Sequence, residues 1–304
     1  MISINSILNV LRRRKHAAQL TFKKLLLGVS RPQIRLIVVG AQKSGTTALY
    51  HYLSEHPDID VPAEKEVNYF NATKRQDISL EKYQQHFPVR LARNEDFFSI
   101  DVSPSYLLDA QVTAQRIFDI NPNTKIAAVL REPVSRAVSS WFMYQKLYQN
   151  DPDWFVNSAW VKNNSTAKIV RRKKRFGESF EADIEEELLA LEAGNRIEYP
   201  VVEYGLYKHQ LSCFIDVFGL ENLLVLSSEE LKNSTQFCLD QITDFIDLKT
   251  HTLSERKLVP HFVGDNKKQI DRSKLAKLAD YYKVHNKGLE ELVDKKFNWG
   301  LKIS

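Results

Sequence analysis

The sequence predicts an α/β protein with a mostly parallel central sheet flanked by helices on both faces. Three observations lead there. Short apolar runs bounded by turn or polar residues, the signature of strands buried on both faces, alternate with stretches whose apolar residues recur at three- and four-residue spacing. The first run passes directly into a glycine-containing turn that opens a helix. A later run ends in Arg131-Glu132-Pro133 with a helix behind it, so two strands deliver charged loops to their carboxyl ends, where ligands of such sheets bind.

In chain order, strands are expected at residues 36–39, 97–100, 126–130 and 223–226. Helices are expected over residues 45–54, 111–120, 134–148, 180–191, 207–218, 235–246 and 272–296, each with an apolar stripe. Residues 149–177 fit neither pattern: Trp154, Trp160, Asn163 and Asn164 precede a cation cluster at residues 168–175, and an acidic helix follows. That stretch reads as an insertion within a single domain of residues 35–304, and there is no internal repeat.

Ahead of the domain lies a basic arm, residues 1–34. The chain has a net charge of +5, yet residues 1–35 hold eight cations (Arg12, Arg13, Arg14, Lys15, Lys23, Lys24, Arg31, Arg35) and no acid, so the remainder is net acidic. Ile4, Ile7, Leu8 and Leu11, then Phe22, Leu25 and Leu26, follow helical spacing with cations between them. Such a helix can lie at an anionic lipid surface or pack on its own domain. The apolar runs at residues 25–29 and 36–39 are far below the ~20 residues a spanning helix needs, and no secretory signal is evident. The expectation is a cytoplasmic protein, peripheral at the inner membrane surface, with no nucleic-acid partner.

With 43% apolar and 27% charged residues over 304 positions, disorder and low complexity are excluded. Two cysteines, Cys213 and Cys238, stand alone in helical segments and are expected to be buried thiols. There is no CxxC and no Cys/His cluster at metal spacing, so neither a disulfide framework nor a metal site is indicated.

The chemistry concentrates in three places. Gly40-Ala41-Gln42-Lys43-Ser44-Gly45-Thr46-Thr47 has the glycine spacing of a phosphate loop, but Thr46 stands where the triphosphate-binding version has lysine, and the lysine lies earlier, at Lys43. A lysine there faces the oxygen bridging a phosphate and a departing group; a purely structural turn is the alternative. Arg131 can grip a second phosphate in bidentate fashion, helped by the Ser139 hydroxyl two helical turns on, or can form an ordinary surface ion pair. Between them, Glu64-Lys65-Glu66-Val67-Asn68-Tyr69-Phe70 offers carboxylates that act as a general base or as a solvated charge run.

These segments, with Asp101-Val102-Ser103-Pro104-Ser105-Tyr106 and Leu130-Arg131-Glu132-Pro133 in the same order, resemble the sulfotransferase family, nearest its carbohydrate branch with the heparan sulfate glucosamine sulfotransferases. The similarity runs from Leu36 to Trp299 and is weakest over residues 149–196. It implies a P-loop-like three-layer α/β fold, the donor 3′-phosphoadenosine 5′-phosphosulfate and the product adenosine 3′,5′-bisphosphate, with no metal. By position, Lys43, Ser44, Gly45, Thr46 and Thr47 match the loop that holds the 5′-phosphosulfate. Arg131 and Ser139 match the pair on the 3′-phosphate, and Glu66 matches the catalytic base. The chain departs from the pattern at Gln42 (family Arg), Asn68 (family His) and Val102 (family Lys). It also lacks the C-terminal Lys-Gly-Arg element, for which Lys257 or residues 264–268 are the substitutes.

The expected reaction is in-line transfer of a sulfuryl group to a hydroxyl, less readily an amine, of a glycan. Glu66 takes the proton and Lys43 stabilises the leaving oxygen, with Glu64 and Asp101 as rival bases. Tyr144, Tyr148, Trp154, Trp160 and the cations at 168–175 either line a glycan groove or serve core and solvent. Three readings compete: a sulfotransferase for a lipid or small-molecule alcohol, a P-loop kinase, and a non-catalytic bisphosphate-nucleotide-binding module at the membrane surface. The kinase reading lacks both the lysine after Gly45 and a clear Walker-B carboxylate.

Overall fold

A computed structural model describes residues 29–72, 77–91, 97–153, 168–172, 176–253, 270 and 275–299. Most of the basic arm, Trp154, Trp160, Lys257 and residues 264–268 lie outside the described residues. The elements in chain order begin β1 (Val29–Ser30), β2 (Gln33–Gly40), α1 (Thr46–Leu53), β3 (Ile59–Asp60), α2 (Tyr69–Ala72), α3 (Leu80–Gln84), β4 (Arg90–Leu91) and β5 (Phe98–Val102). They continue α4 (Ala110–Ile120), β6 (Lys125–Leu130), α5 (Pro133–Asn150), β7 (Ile169–Val170), α6 (Phe180–Glu192), β8 (Arg196–Ile197), α7 (Tyr207–Phe218) and β9 (Leu223–Ser227). The chain closes with α8 (Ser228–Asn233), α9 (Thr235–Phe245), α10 (Ala276–His285) and α11 (Leu289–Leu292).

The main sheet has the order β3-β5-β2-β6-β9, and every pairing in it is parallel. β2 is central because both of its faces are apolar: Leu36 and Val38 point to one layer, Ile37 and Val39 to the other, and all four are fully buried. Each such side chain contributes about 1.5–3 kcal/mol on burial. Leu49 and Leu53 of α1 with Leu239 and Ile242 of α9 cover the first face. Ala114 and Ile117 of α4 with Leu211 and Phe214 of α7 cover the second. This is the three-layer α/β arrangement expected. The short β3 was missed, because two residues beside a longer strand carry no apolar run of their own.

A third cluster packs α5, α6 and α10 through Trp141, Phe180, Ile184, Leu278 and Tyr282. In the stretch read as an insertion, Ile169 and Val170 pair in parallel with Arg196 and Ile197. Arg172 is buried there and meets Glu187 at 2.8 Å, and the Glu187 carboxylate also accepts from the N–H groups of Val201, Val202 and Glu203 at 2.7–2.9 Å.

Two expectations are corrected. The single helix over 272–296 is two, α10 and α11, because Gly288 adopts a left-handed φ of 78°. The Asn286 side chain fixes the break by accepting from the Lys208 N–H at 3.2 Å and donating to the Gly205 carbonyl at 2.8 Å. Cys213 is only half-buried, since it flanks the face of α7 that carries Leu211 and Phe214 inward, whereas Cys238 is buried. Among the described residues no helix is long and apolar enough to cross a membrane.

Candidate active site

The parallel sheet brings the carboxyl ends of β2, β5, β6 and β9 to one side, and the site is built there. β2 ends at Gly40, where a side chain has no room: a Cβ would lie 2.6 Å from Leu107 Cδ2 and 2.7 Å from its Cβ. The Ala41 N–H donates to the Val129 carbonyl at 2.8 Å and so seats the turn against β6. The turn then reverses through two left-handed residues, Lys43 at φ 69° and Gly45 at φ 99°, and opens α1 with Gly45 as its N-cap. Glycine supplies no capping side chain, so the first N–H groups of α1 face the turn's concave side with the helix dipole behind them. Ser44 and Thr46 are buried, Thr47 is half-buried, and the Ser44 hydroxyl lies beside that of Tyr207.

Arg131 leaves β6 next to this turn. Its Nη1 donates to the Lys43 carbonyl at 3.2 Å, and its own carbonyl accepts from the Tyr207 hydroxyl at 2.9 Å. Burial lowers the pKa of the Lys43 ammonium, and the nearby Arg131 and Lys65 charges lower it further, while Glu66 opposes them. Burial likewise lowers Arg131, against the carboxylates of Glu229 and Glu132. Two partly buried cations are thus held side by side, an arrangement that costs free energy until a polyanion sits between them.

Glu132 serves structure: its carboxylate caps α5 by accepting from the N–H groups of Val134 at 2.9 Å and Ser135 at 2.6 Å, with Pro133 in the first turn. Ser139 is buried on the same helix. Its neighbour Ser140 donates to Gln42 Oε1 at 3.0 Å, and Gln42 Nε2 donates to the Tyr144 hydroxyl at 3.1 Å, so the turn of α5 that carries Ser139 is tied to the loop. Tyr144 is buried in that contact, and burial pushes its hydroxyl up to about 12. Of the cations at 168–175, Arg172 is consumed by Glu187 while Arg171 stays exposed.

Glu66, on the loop that precedes α2, lies within electrostatic reach of Lys43. Its carboxylate pairs with Lys65 Nζ at 2.5 Å and its side chain is 46% exposed. Both Glu66 and Asn68 have left-handed φ values, 68° and 51°. Glu64 on the same loop is exposed, whereas Asp101 at the end of β5 is fully buried. Asp101 Oδ1 accepts from Ser103 Oγ at 2.6 Å, and Oδ2 accepts from the Tyr83 and Tyr106 hydroxyls at 2.9 Å each. Asp101 is thus sealed behind three hydroxyls.

The structure therefore brings Arg131 and Glu66 within electrostatic reach of Lys43, with the 44–47 turn beside them and the Ser139 helix tied to that turn through Gln42. Lys65 and Tyr207 join them without having been singled out as functional, and Gln42, noted as a departure at a family arginine, ties the loop to α5. Adjacency to Glu66 was the available signal for Lys65, while Tyr207 gave none. Among the described residues no group of three or more His, Cys, Asp or Glu is placed to hold a metal ion.

Residues 33–295 match the sulfotransferase domain family. The human bifunctional heparan sulfate N-deacetylase/N-sulfotransferase 1 is 26% identical over 289 residues, covering 86% of this chain and 30% of its own. The membrane-associated sulfotransferase kil1 of Dictyostelium discoideum is 25% identical over 318 residues, 86% of this chain and 66% of its own. The human heparan sulfate glucosamine 3-O-sulfotransferase 3A1 is 23% identical over 297 residues, 90% and 64% respectively. The chain thus spans less than two thirds of the length of each of these relatives. Among solved structures, a sulfotransferase from Alicyclobacillus acidocaldarius superposes with a TM-score of 0.62 at 25% identity, over 88% of this chain and 98% of that one.

Proposed function

The chain belongs to the sulfotransferase domain family, and we propose that it transfers a sulfuryl group from 3′-phosphoadenosine 5′-phosphosulfate to a hydroxyl of a carbohydrate or glycan acceptor. The observation that carries this reading is the pairing of Lys43 and Arg131, two half-buried cations joined through the Lys43 carbonyl, with the Glu66 carboxylate within electrostatic reach of Lys43. The site fits the donor: an uncapped helix start and Lys43 suit the 5′-phosphosulfate, and Arg131 with Ser139 suits the 3′-phosphate.

The donor supplies an activated sulfuryl group. Backbone N–H groups of residues 45–47, with Ser44, Thr46 and Thr47, hold its phosphate in line with the acceptor. Lys43 neutralises charge growing on the bridging oxygen as the sulfur–oxygen bond to phosphate breaks. Glu66 accepts the proton as the acceptor oxygen bonds to sulfur, and the Lys65 ammonium, paired with that carboxylate at 2.5 Å, orients it. No acid is needed at the leaving 5′-phosphate, since it departs as an anion held by Lys43 and the N–H groups of the turn.

A carbohydrate acceptor is supported by the heparan sulfate relatives, and peripheral membrane contact through residues 1–34 by the name of the Dictyostelium relative. We place the protein in the cytoplasm, at the inner membrane surface, on the basic arm alone. The deciding experiment incubates purified protein with radiolabelled donor and a panel of glycans, lipid alcohols and small alcohols. Label in a glycan supports the reading, label only in a lipid or small alcohol moves the acceptor class, and label in none overturns it.

A further inference from the structure

The buried carboxylate of Asp101 has no part in the chemistry above, yet its hydrogen bonds lead to the loop that carries Glu66. A carboxylate only accepts, so each hydroxyl bonded to it must spend its single proton on it and is left with lone pairs alone. Ser103 Oγ, having donated to Asp101 Oδ1, accepts from the Asn68 N–H at 3.1 Å. The Tyr106 hydroxyl, having donated to Oδ2, accepts from the Tyr69 N–H at 2.8 Å. One further contact from the same stretch reaches the loop: Ser105 Oγ donates to Asn68 Oδ1 at 2.5 Å.

The loop needs such restraint. Glu66 and Asn68 are non-glycine residues in the left-handed region, a strained conformation that persists only where the surroundings over-determine it. The residues that restrain it are themselves fixed to the strand that leads to Lys43: Ser103 N–H donates to the Val38 carbonyl at 3.1 Å and Leu107 N–H to the Val39 carbonyl at 2.8 Å. A continuous path of hydrogen bonds thus joins the base of the Lys43 turn to the Glu66 loop, and Asp101 sets the direction of the two that hold backbone.

We propose that Asp101 is a positioning residue, which orients the Ser103 and Tyr106 hydroxyls so that they grip the Asn68 and Tyr69 amides and thereby hold Glu66 in register with Lys43. The inference rests on the reading of Glu66 as the base. A buried carboxylate with a merely structural duty would stabilise the sheet end without bearing on turnover, and the two roles separate by measurement.

The experiment compares the wild-type chain with Ser103→Ala, Ser103→Thr, Tyr106→Phe and Asp101→Asn. It reads amide hydrogen exchange at residues 68 and 69, donor KM, and kcat. Ser103→Ala should speed exchange at Asn68, and Tyr106→Phe at Tyr69, while amides of the central strand keep their protection. Each should lower kcat about tenfold with donor KM unchanged within about twofold, as expected when a reacting group is displaced by a fraction of an ångström. Ser103→Thr keeps the hydroxyl and should restore both protection and kcat. Unchanged exchange in Ser103→Ala and Tyr106→Phe overturns the proposal, as does faster exchange with wild-type kcat, or a donor KM that rises in step with the loss of kcat. If Asp101→Asn fails to fold, the two hydroxyl variants carry the test. If the wild type transfers no sulfuryl group at all, it is the functional reading that fails, and the exchange data still decide whether Asp101 holds the loop.

Discussion

Arg131 donates from Nη1 to the backbone carbonyl of Lys43 at 3.2 Å, so the cation assigned to one phosphate also fixes the turn assigned to the other. In the function proposed above, that bond would couple recognition of the two phosphates of the nucleotide.

Adenosine 3′,5′-bisphosphate is therefore expected to bind in clear preference to ATP, for which the loop lacks its usual lysine. Arg131→Ala should weaken bisphosphate binding by about 1.5–3 kcal/mol, the range for a hydrogen bond to a charged group. It should weaken adenosine 5′-phosphosulfate less, though measurably, because the Lys43 turn loosens too. Calorimetry with the three ligands checks this, and equal or tighter ATP binding contradicts it.

Lys43 is held at a cost. Its pKa is lowered from 10.5 by burial and by Arg131, so the folded state binds its proton less readily than the unfolded chain does. The penalty is fully present below the folded pKa and is relieved as pH rises toward 10.5. Lys43→Met should accordingly raise Tm near neutral pH, with an advantage that shrinks in alkaline buffer, and should abolish most turnover. A variant that is less stable at every pH would contradict the electrostatic account.

Glu66→Gln keeps shape and removes the base. Donor affinity should stay near wild type while kcat falls by about 100- to 10,000-fold. Glu64→Gln, altering an exposed carboxylate of the same loop, should stay near wild type. Steady-state kinetics with calorimetry separate the two, and near wild-type turnover in Glu66→Gln returns that residue to the solvated charge run.

Gly40→Ala places a methyl 2.6 Å from Leu107 Cδ2. Overpacking of this kind costs about 1–3 kcal/mol, and Leu107→Ala in the same chain should recover part of it. Denaturation of the single and double variants measures the coupling, and simple additivity of the two losses would show that the contact is not the cause.

Residues 1–28 carry six cations and no acid, each worth about 1 kcal/mol at an anionic bilayer before screening. Deleting them should abolish co-sedimentation with anionic liposomes and leave turnover of a soluble acceptor largely intact. Undiminished co-sedimentation would assign membrane contact elsewhere.

The long strands and the loops at their carboxyl ends were legible because burial on both faces writes a continuous apolar run, and because Gly40, Gly45 and Pro133 mark where strand gives way to turn and turn to helix. The Asp101 network was not. Its partners Tyr83, Ser103 and Tyr106 share no spacing, and only the closed fold shows that their hydroxyls converge on one carboxylate. Glu132 was read together with Arg131, yet its position before Pro133 makes it a helix cap, a role that local chemistry alone could have supplied. The break at Gly288 escaped notice because the apolar spacing continues across it, and the asparagine that stabilises it bonds to residues remote in the chain.

The order of the sheet has a consequence for synthesis on the ribosome. β2 is made first among the strands of the main sheet and is its centre, but its partners arrive much later: Ile37 lies beside Asp101 and Ile126, and Ile126 in turn lies beside Leu223. No hairpin within this sheet can shelter the emerging chain, so the most apolar strand waits unpaired until β5 and then β6 have been made. Stalled chains that end before Phe98 should be cleaved readily by protease and bound by chaperones, and those that extend past Leu130 should begin to resist both.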